Sequence, residues 1–396
     1  MIYFSNLPCS KIKQPLFLNY VSFFSSSSGL VIIIVVFSFS SLDMDQQQQI
    51  RKFMNIVAPP VILLTLVLLS PPFLVLEFFL SILRSFFSEN VAGKVVLITG
   101  ASSGIGKQLA YQYAKKGACL VLVARRQNLL EEVAEKARLL GSPDVMSVQA
   151  DVSKVDDCQR FIDETVNHFG RLDHLVTNAG IGSVCMFEDS TEINKFTPVM
   201  GINFWGSIYA THFAAPHLRN SKGKMIVIAS LAGWLPVPRM SFYCASKAAL
   251  IKFHETYRIE YGADIRSVIV VPGLIESEMT KGRFLSNEGV LMEVDEESRE
   301  VEVGVFPYAS TEGCAKHIVD GACRGEPYVI EPRWYKAAIF CRSLCPEVLE
   351  WFYRLVYGTL LGALLRGGLS KYWMSRMTTK SPTHPQPNLL TKSLVD

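Results

Sequence analysis

Residues 94–106 read K-V-V-L-I-T-G-A-S-S-G-I-G, and this stretch decides the fold. A strand-length apolar run enters a turn that carries Gly100, Gly104 and Gly106, and a helix-length run follows over 107–116. An unbroken apolar strand is what a sheet covered on both faces requires. Glycines at a strand-to-helix turn let the backbone approach a pyrophosphate, while the first helical amides and the positive end of the helix dipole face it. Gly100, Ser102, Ser103, Gly104, Ile105 and Gly106 are therefore expected to hold a dinucleotide, and the flanking strand and helix are the context that gives such a pattern weight.

Working outward, short β-rich runs alternate with helix-length amphipathic runs. Strands are predicted at 94–99, 119–124, 145–149, 174–177, 224–229 and 266–271. That alternation is the signature of an α/β, doubly wound, Rossmann-type parallel sheet with its ligand crevice at the carboxyl ends of the strands. The catalytic domain is placed at 89–335. A charged, glycine-containing stretch over 280–307 reads as a lid, 336–378 as an amphipathic helical region that packs on the domain or touches a membrane, and 379–396 as a polar, Pro-rich disordered tail.

The amino-terminal side is different in kind. No charged residue occurs over 56–76, and apolar character continues through Leu83 apart from Glu77, which marks 54–88 as a membrane anchor. The pairs Pro59-Pro60 and Pro71-Pro72 oppose a continuous helix. The ten residues between them would rise only ~15 Å, half of a ~30 Å hydrocarbon core. A bent element that enters one leaflet and returns is the expectation, suited to the endoplasmic reticulum or to an oil-droplet monolayer. Residues 1–53, rich in Ser and Phe, read as a disordered or untranslated extension, with Met44 or Met54 as the expected start.

The chain as a whole is 49% hydrophobic and 19% charged, more apolar than an ordinary soluble domain. A net charge of +3 without a dense basic run argues against nucleic acid as a partner. The nine cysteines show no metal-ligand spacing, so no metal is expected, and free thiols in a reducing compartment are.

Tyr243 and Lys247 stand one helical turn apart and emerge on one face. A tyrosine of pKa ~10 is a poor proton shuttle at neutral pH, but a nearby ammonium favours the phenolate. Such a phenol can exchange the hydroxyl proton of a carbinol as hydride is transferred. Ser230, ending a predicted strand, can donate to the substrate oxygen. The second strand ends V-L-V-A-R-R. Ala124 stands where an NAD-selecting acid would lie, and Arg125 and Arg126 suit the 2'-phosphate of NADP, so NADP is preferred to NAD.

The spacing T-G-x-x-x-G-x-G resembles that of the short-chain dehydrogenases. Further motifs recur in that family's order: Asp151-Val152, Asn178-Ala179-Gly180, Asn203 in G-I-N-F-W-G, Ser230, Y-C-A-S-K and Pro272-Gly273. The resemblance implies cofactor contacts from these residues and from Ile275 and Ser277, and a water held by Asn203 that links Lys247 to solvent. Thr177 and Ser277 depart from the usual residues. Within the family, S-E-N-V-A-G-K-V-V-L-I-T-G, F-G-R-L-D-H-L-V-T-N-A-G and the proline-punctuated anchor resemble the plant 11-beta-hydroxysteroid dehydrogenase-like proteins, the steroleosins. That likeness implies a steroid or sterol alcohol/ketone substrate, an oil-body or endoplasmic-reticulum location with the catalytic domain in the cytosol, and a homodimer through the helices bearing Asn203 and Tyr243. Two alternatives stand beside it: a reductase of a retinoid or long-chain keto-lipid, which shares the motifs, and a structural oil-body protein with a vestigial site, against which the intact Ser230, Tyr243 and Lys247 argue.

Overall fold

The computed structural model describes residues 21–25, 31–35, 44–86, 88–190, 192–262, 264–285 and 308–358. It divides into two compact units, 1–82 and 83–396.

In the first unit, β1 (Val21–Ser25) and β2 (Val31–Val35) pair antiparallel, with Val21 opposite Val35. Helix α1 (Met44–Phe86) then runs 43 residues through both proline pairs. The expected break at each pair is thus corrected: a proline removes one amide donor, but the turns on either side keep theirs. Within α1 the stretch Gln48–Leu80 is long and apolar enough to cross a membrane, and Ile62, Leu63, Leu66, Val67, Leu74 and Phe78 are exposed. Apolar side chains presented all round a helix are what lipid, rather than water, would solvate.

The second unit is a seven-stranded parallel sheet. Six strands lie within a residue of their predicted places: β3 (Val95–Thr99), β4 (Cys119–Ala124), β5 (Val145–Gln149), β6 (His174–Thr177), β8 (Lys224–Ile228) and β9 (Arg266–Pro272). The seventh, β11 (Tyr328–Glu331), was not legible beforehand: four residues between prolines look like loop. The order β11-β9-β8-β6-β3-β4-β5 reverses direction between β3 and β6, the switch point where this architecture binds ligands.

Side chains on alternate strand positions serve two cores. Val96 and Ile98 face α2 (Gly104–Lys115), α3 (Gln127–Leu139) and α8 (Thr311–Arg324), whereas Val95 and Leu97 face α4 (Val155–Phe169), α6 (Gly206–Ser221) and α7 (Ser241–Tyr261). Burial on both faces explains why these strands carry few polar residues. Two short strands, β7 (Gly182–Ser183) and β10 (Phe284–Leu285), pair beside the main sheet.

Helices α9 (Tyr335–Leu344) and α10 (Pro346–Gly358) follow. Ile339 and Leu349 pack on the core, but Phe340, Leu344, Val348 and Trp351 remain exposed. The expected lid is described as far as Leu285 and again from Tyr308; its residues 286–307, the tail after residue 358 and most of residues 1–43 lie outside the described residues.

Candidate active site

At the switch point the carboxyl ends of β3 and β6 are laced together. Thr99 Oγ1 accepts from the amides of Asn178 (3.0 Å) and Ala179 (3.2 Å), and the Asn178 carboxamide donates to the carbonyls of Thr99 (3.0 Å) and Gly100 (3.1 Å). This closeness demands the glycines. A Cβ on Gly106 would stand 2.3 Å from the Gly100 carbonyl oxygen, and one on Gly100, at φ +65°, 2.8 Å from Ala179 Cα. Helix α2 starts at this turn with Ser103 as its N-cap, and the serine makes no side-chain capping bond. Its first-turn amides are thus left for a ligand.

A cleft of about 580 Å³ opens here. Gly100, Ser102, Ser103, Gly104 and Ile105 line one side, Arg125, Arg126, Asp151 and Val152 the next, and Asn178, Ala179, Gly180, Ser230, Tyr243, Lys247, Pro272, Gly273, Ile275 and Ser277 the remainder. The residues therefore fit a dinucleotide: a backbone cradle that any Cβ would fill lies beside uncapped helical amides. Two sequence candidates do not reach the wall. Gly106 packs behind the turn, and Asn203 is buried.

Asn203 lies in a π-helical turn, Gly201–Trp205, a feature that re-aims side chains near functional sites. Its Oδ1 accepts from the Ile181 amide (2.8 Å), and its Nδ2 donates to the Ile181 carbonyl (2.9 Å) and Ser246 Oγ (3.0 Å). A Cβ on Gly180 would lie 3.2 Å from Asn203 Oδ1 and 3.5 Å from Lys247 Nζ. Both groups thus crowd the underside of Gly180.

Tyr243 and Lys247 project from the first turns of α7, both buried. Lys247 Nζ donates to the Ile228 carbonyl (3.0 Å) and sits 5.9 Å from the centroid of the Tyr243 ring. Burial pushes the phenol up to about 12, against a hydrogen bond from Ser230 that pulls it down. Burial likewise brings Lys247 down to about 8. Burial is the largest influence on the phenol and favours its protonated form. Ser230 Oγ accepts from the Ala232 amide (3.2 Å), leaving its proton for the phenol or a substrate oxygen.

Beside the phenol, Val184, Ala232, Met240 and Phe284 form an apolar wall with Met279 against it. Sequence reasoning missed this wall, along with Glu278 and Met279, which line the cleft from the segment after β9 together with Thr280 and Arg283 at the start of the expected lid. The fixed spacing of the motifs identifies the catalytic side; nothing of that kind marks the segment after β9. Of the two arginines after β4, Arg125 is exposed, while Arg126 donates to Ser102 Oγ (3.2 Å) and Ser103 Oγ (2.8 Å). Ser277 is turned into its own loop, its amide donating to Thr280 Oγ1 at 2.7 Å. Gly273 has the Tyr335 ring against it, where a Cβ would lie 2.2 Å from Cε2.

A cleft of this kind, at the switch point of a doubly wound sheet with a buried acid and a buried amine one turn apart, defines a dinucleotide-dependent oxidoreductase. The short chain dehydrogenase family model matches residues 94–288. The chain is 53% identical over 337 residues to "11-beta-hydroxysteroid dehydrogenase 1A" of Arabidopsis thaliana, covering 85% of this chain and 96% of that protein. It is 52% identical over 337 residues to "11-beta-hydroxysteroid dehydrogenase A" of Sesamum indicum, with the same coverage. Among solved structures, a short chain dehydrogenase/reductase from Burkholderia phymatum in complex with NAD superposes with a TM-score of 0.58 at 23% identity, covering 65% of this chain and 96% of that one, which speaks to the fold. The chain belongs to the short-chain dehydrogenase family, alongside plant 11-beta-hydroxysteroid dehydrogenase-like proteins.

Proposed function

We propose that the protein, anchored in a membrane or an oil-body monolayer, transfers a hydride between NADP(H) and a hydroxyl or keto group of a steroid or sterol. The observation that carries this reading is the placement of Tyr243, with Ser230 and Lys247 in the same cleft, between the dinucleotide turn and an apolar wall. The nicotinamide, when bound, supplies or accepts the hydride. Tyr243 gives its proton to the carbonyl oxygen on reduction and takes it back on oxidation, Ser230 donates to that oxygen as charge develops, and Lys247 holds positive charge beside the phenol. Gly100, Ser102, Ser103, Gly104 and Ile105 would cradle the pyrophosphate, and Arg126 with Arg125 would meet the 2'-phosphate. Asp151, Val152, Asn178, Ala179, Gly180, Pro272, Gly273, Ile275 and Ser277 would line the rest of the dinucleotide.

A steroid fits an apolar wall in a chain that also carries a segment lipid would solvate, because such a substrate concentrates where the enzyme is held. The names of the relatives point the same way. The endoplasmic reticulum and oil bodies are the compartments this reading assigns. A homodimer through α6 and α7 would cover Trp205 and Ile259, which are exposed in the single chain. The test is a panel of steroid, retinoid and long-chain lipid alcohols and ketones, offered to purified protein with NADP(H) or NAD(H). Steroid turnover with NADP(H) is expected; turnover confined to retinoids or acyl lipids would replace the substrate, and preference for NAD(H) would replace the cofactor.

A further inference from the structure

Arg126 makes one contact that the dinucleotide turn does not explain. Its Nη1 donates to Glu278 Oε1 at 3.2 Å, while Nη2 is engaged by the two serines of the turn. The other Glu278 oxygen accepts from Arg283 Nη1 at 2.6 Å. A chain of three charges therefore crosses the cleft from the end of β4 to the segment between β9 and β10, and all three residues line the cleft. Both arginine pairs are about a third exposed, at 35% and 40% for Arg126 and Glu278 and 31% for Arg283. Burial alone would raise the Glu278 carboxyl, but Arg126 and Arg283 pull it down further, so it is an anion.

An anion on this guanidinium has a direct chemical rival. The end of the second strand is where a Rossmann-type fold meets the adenosine ribose, and Ala124 there offers no acceptor for the ribose hydroxyls. A 2'-phosphate seeks the same fork of donors that Glu278 now uses, and a carboxylate next to it would repel it. An exposed ion pair of this kind is weak and salt-screened, so a doubly charged phosphate can displace it. A dinucleotide without the 2'-phosphate has no such group to put on Arg126.

Resting on the NADP reading above, we propose that Glu278 is a specificity-determining residue, an internal stand-in for the 2'-phosphate. It occupies Arg126 until a 2'-phosphorylated dinucleotide displaces it, and it then keeps only Arg283. The segment after β9 is thereby uncoupled from the dinucleotide turn by one class of cofactor and left coupled by the other.

The test is equilibrium binding of NADP+ and NAD+ to the full chain in detergent, by calorimetry, for wild type, Glu278→Gln, Glu278→Ala, Arg126→Ala and the Arg126→Ala/Glu278→Gln double variant. Both Glu278 variants are expected to tighten NADP+ about fivefold while NAD+ changes less than about twofold, and the gain should shrink in high salt. In the double variant the gain should vanish. Equal changes for both dinucleotides, or an NADP+ affinity that Glu278→Gln leaves alone while Arg126→Ala weakens it, would overturn the stand-in and leave the NADP reading intact. A wild type that binds NAD+ at least as well as NADP+, with Arg126→Ala affecting neither, would overturn both. Unaltered melting temperatures without ligand separate these effects from misfolding.

Discussion

The two ends of the central sheet treat buried ionisable groups in opposite ways. At the amino ends of β3, β6 and β8 the buried Asp173 and Lys224 each have a partner of opposite charge. Glu89 pairs with Lys94, Lys224 and His174, His174 Nδ1 shares a hydrogen with Tyr113 Oη at 3.1 Å, and Lys224 also donates to the Ala322 carbonyl at 2.7 Å. Asp173 accepts from the Val95 amide and from Arg171, both at 2.9 Å. Burial pushes the Glu89 carboxyl up, yet its three partners hold it well below the usual carboxylate range. At the carboxyl ends, Lys247 faces a carbonyl and Tyr243 a hydroxyl, and burial is the largest influence on both, pushing the phenol up and the amine down. Matched burial fixes a charge and serves stability; unmatched burial brings the Lys247 proton closer to neutral pH.

Removing the phenol hydroxyl should give the largest effect. Tyr243→Phe is expected to lower kcat by about a thousandfold with dinucleotide binding kept, as for loss of a general acid; near-normal turnover would erase the contrast. Glu89→Gln leaves buried cations short of an anion and should cost about 3 kcal/mol of unfolding free energy in urea, with catalysis of the folded fraction unchanged.

The sign of the pH response follows from the same group. The folded pKa of Glu89 is depressed below its ordinary 4.5, so its contribution is fully present above that pH and is lost as pH falls below it. In Glu89→Gln the stability curve should be flatter over that acid range. The Lys247 ammonium, lowered to about 8, should be lost above that pH, so ketone reduction should decline by up to about tenfold per unit there. Lys247→Arg should move the decline to higher pH. The smallest effect belongs to Lys115 and Glu312, a pair joined at 3.1 Å on the surface. Glu312→Gln should cost under about 1 kcal/mol, because solvent already screens that pair.

Much of this was written in the chain. Paired apolar and β-branched residues in 95–99 and 266–272 can only be covered from both faces, so strands and layer architecture were legible without coordinates. The glycine turn, Ser230, Tyr243 and Lys247 were legible because their chemistry demands fixed local spacing. What escaped depended on distance across the fold. The Tyr243 pKa reflects how completely neighbouring elements bury it, not its distance along α7 from Lys247. Arg126 rather than Arg125 was engaged because Ser102, Ser103 and Glu278 converge on it from 24, 23 and 152 residues away. Propensity also misjudged α1, where prolines mark lost amides rather than chain ends.

Those prolines have a consequence for α1 should it lie in lipid, as proposed. Pro59, Pro60, Pro71 and Pro72 cannot donate to the carbonyls of Asn55, Ile56, Val67 and Leu68, which leaves two bare acceptor rungs on an otherwise greasy rod. Twelve residues separate them, about 18 Å along the axis. A dry rung is costly in hydrocarbon, so the rod gains by tilting or sliding until water or lipid headgroups can wet these oxygens. In a lipid layer the depth of α1 would thus be graduated by carbonyls, a ruler marked by what proline withholds.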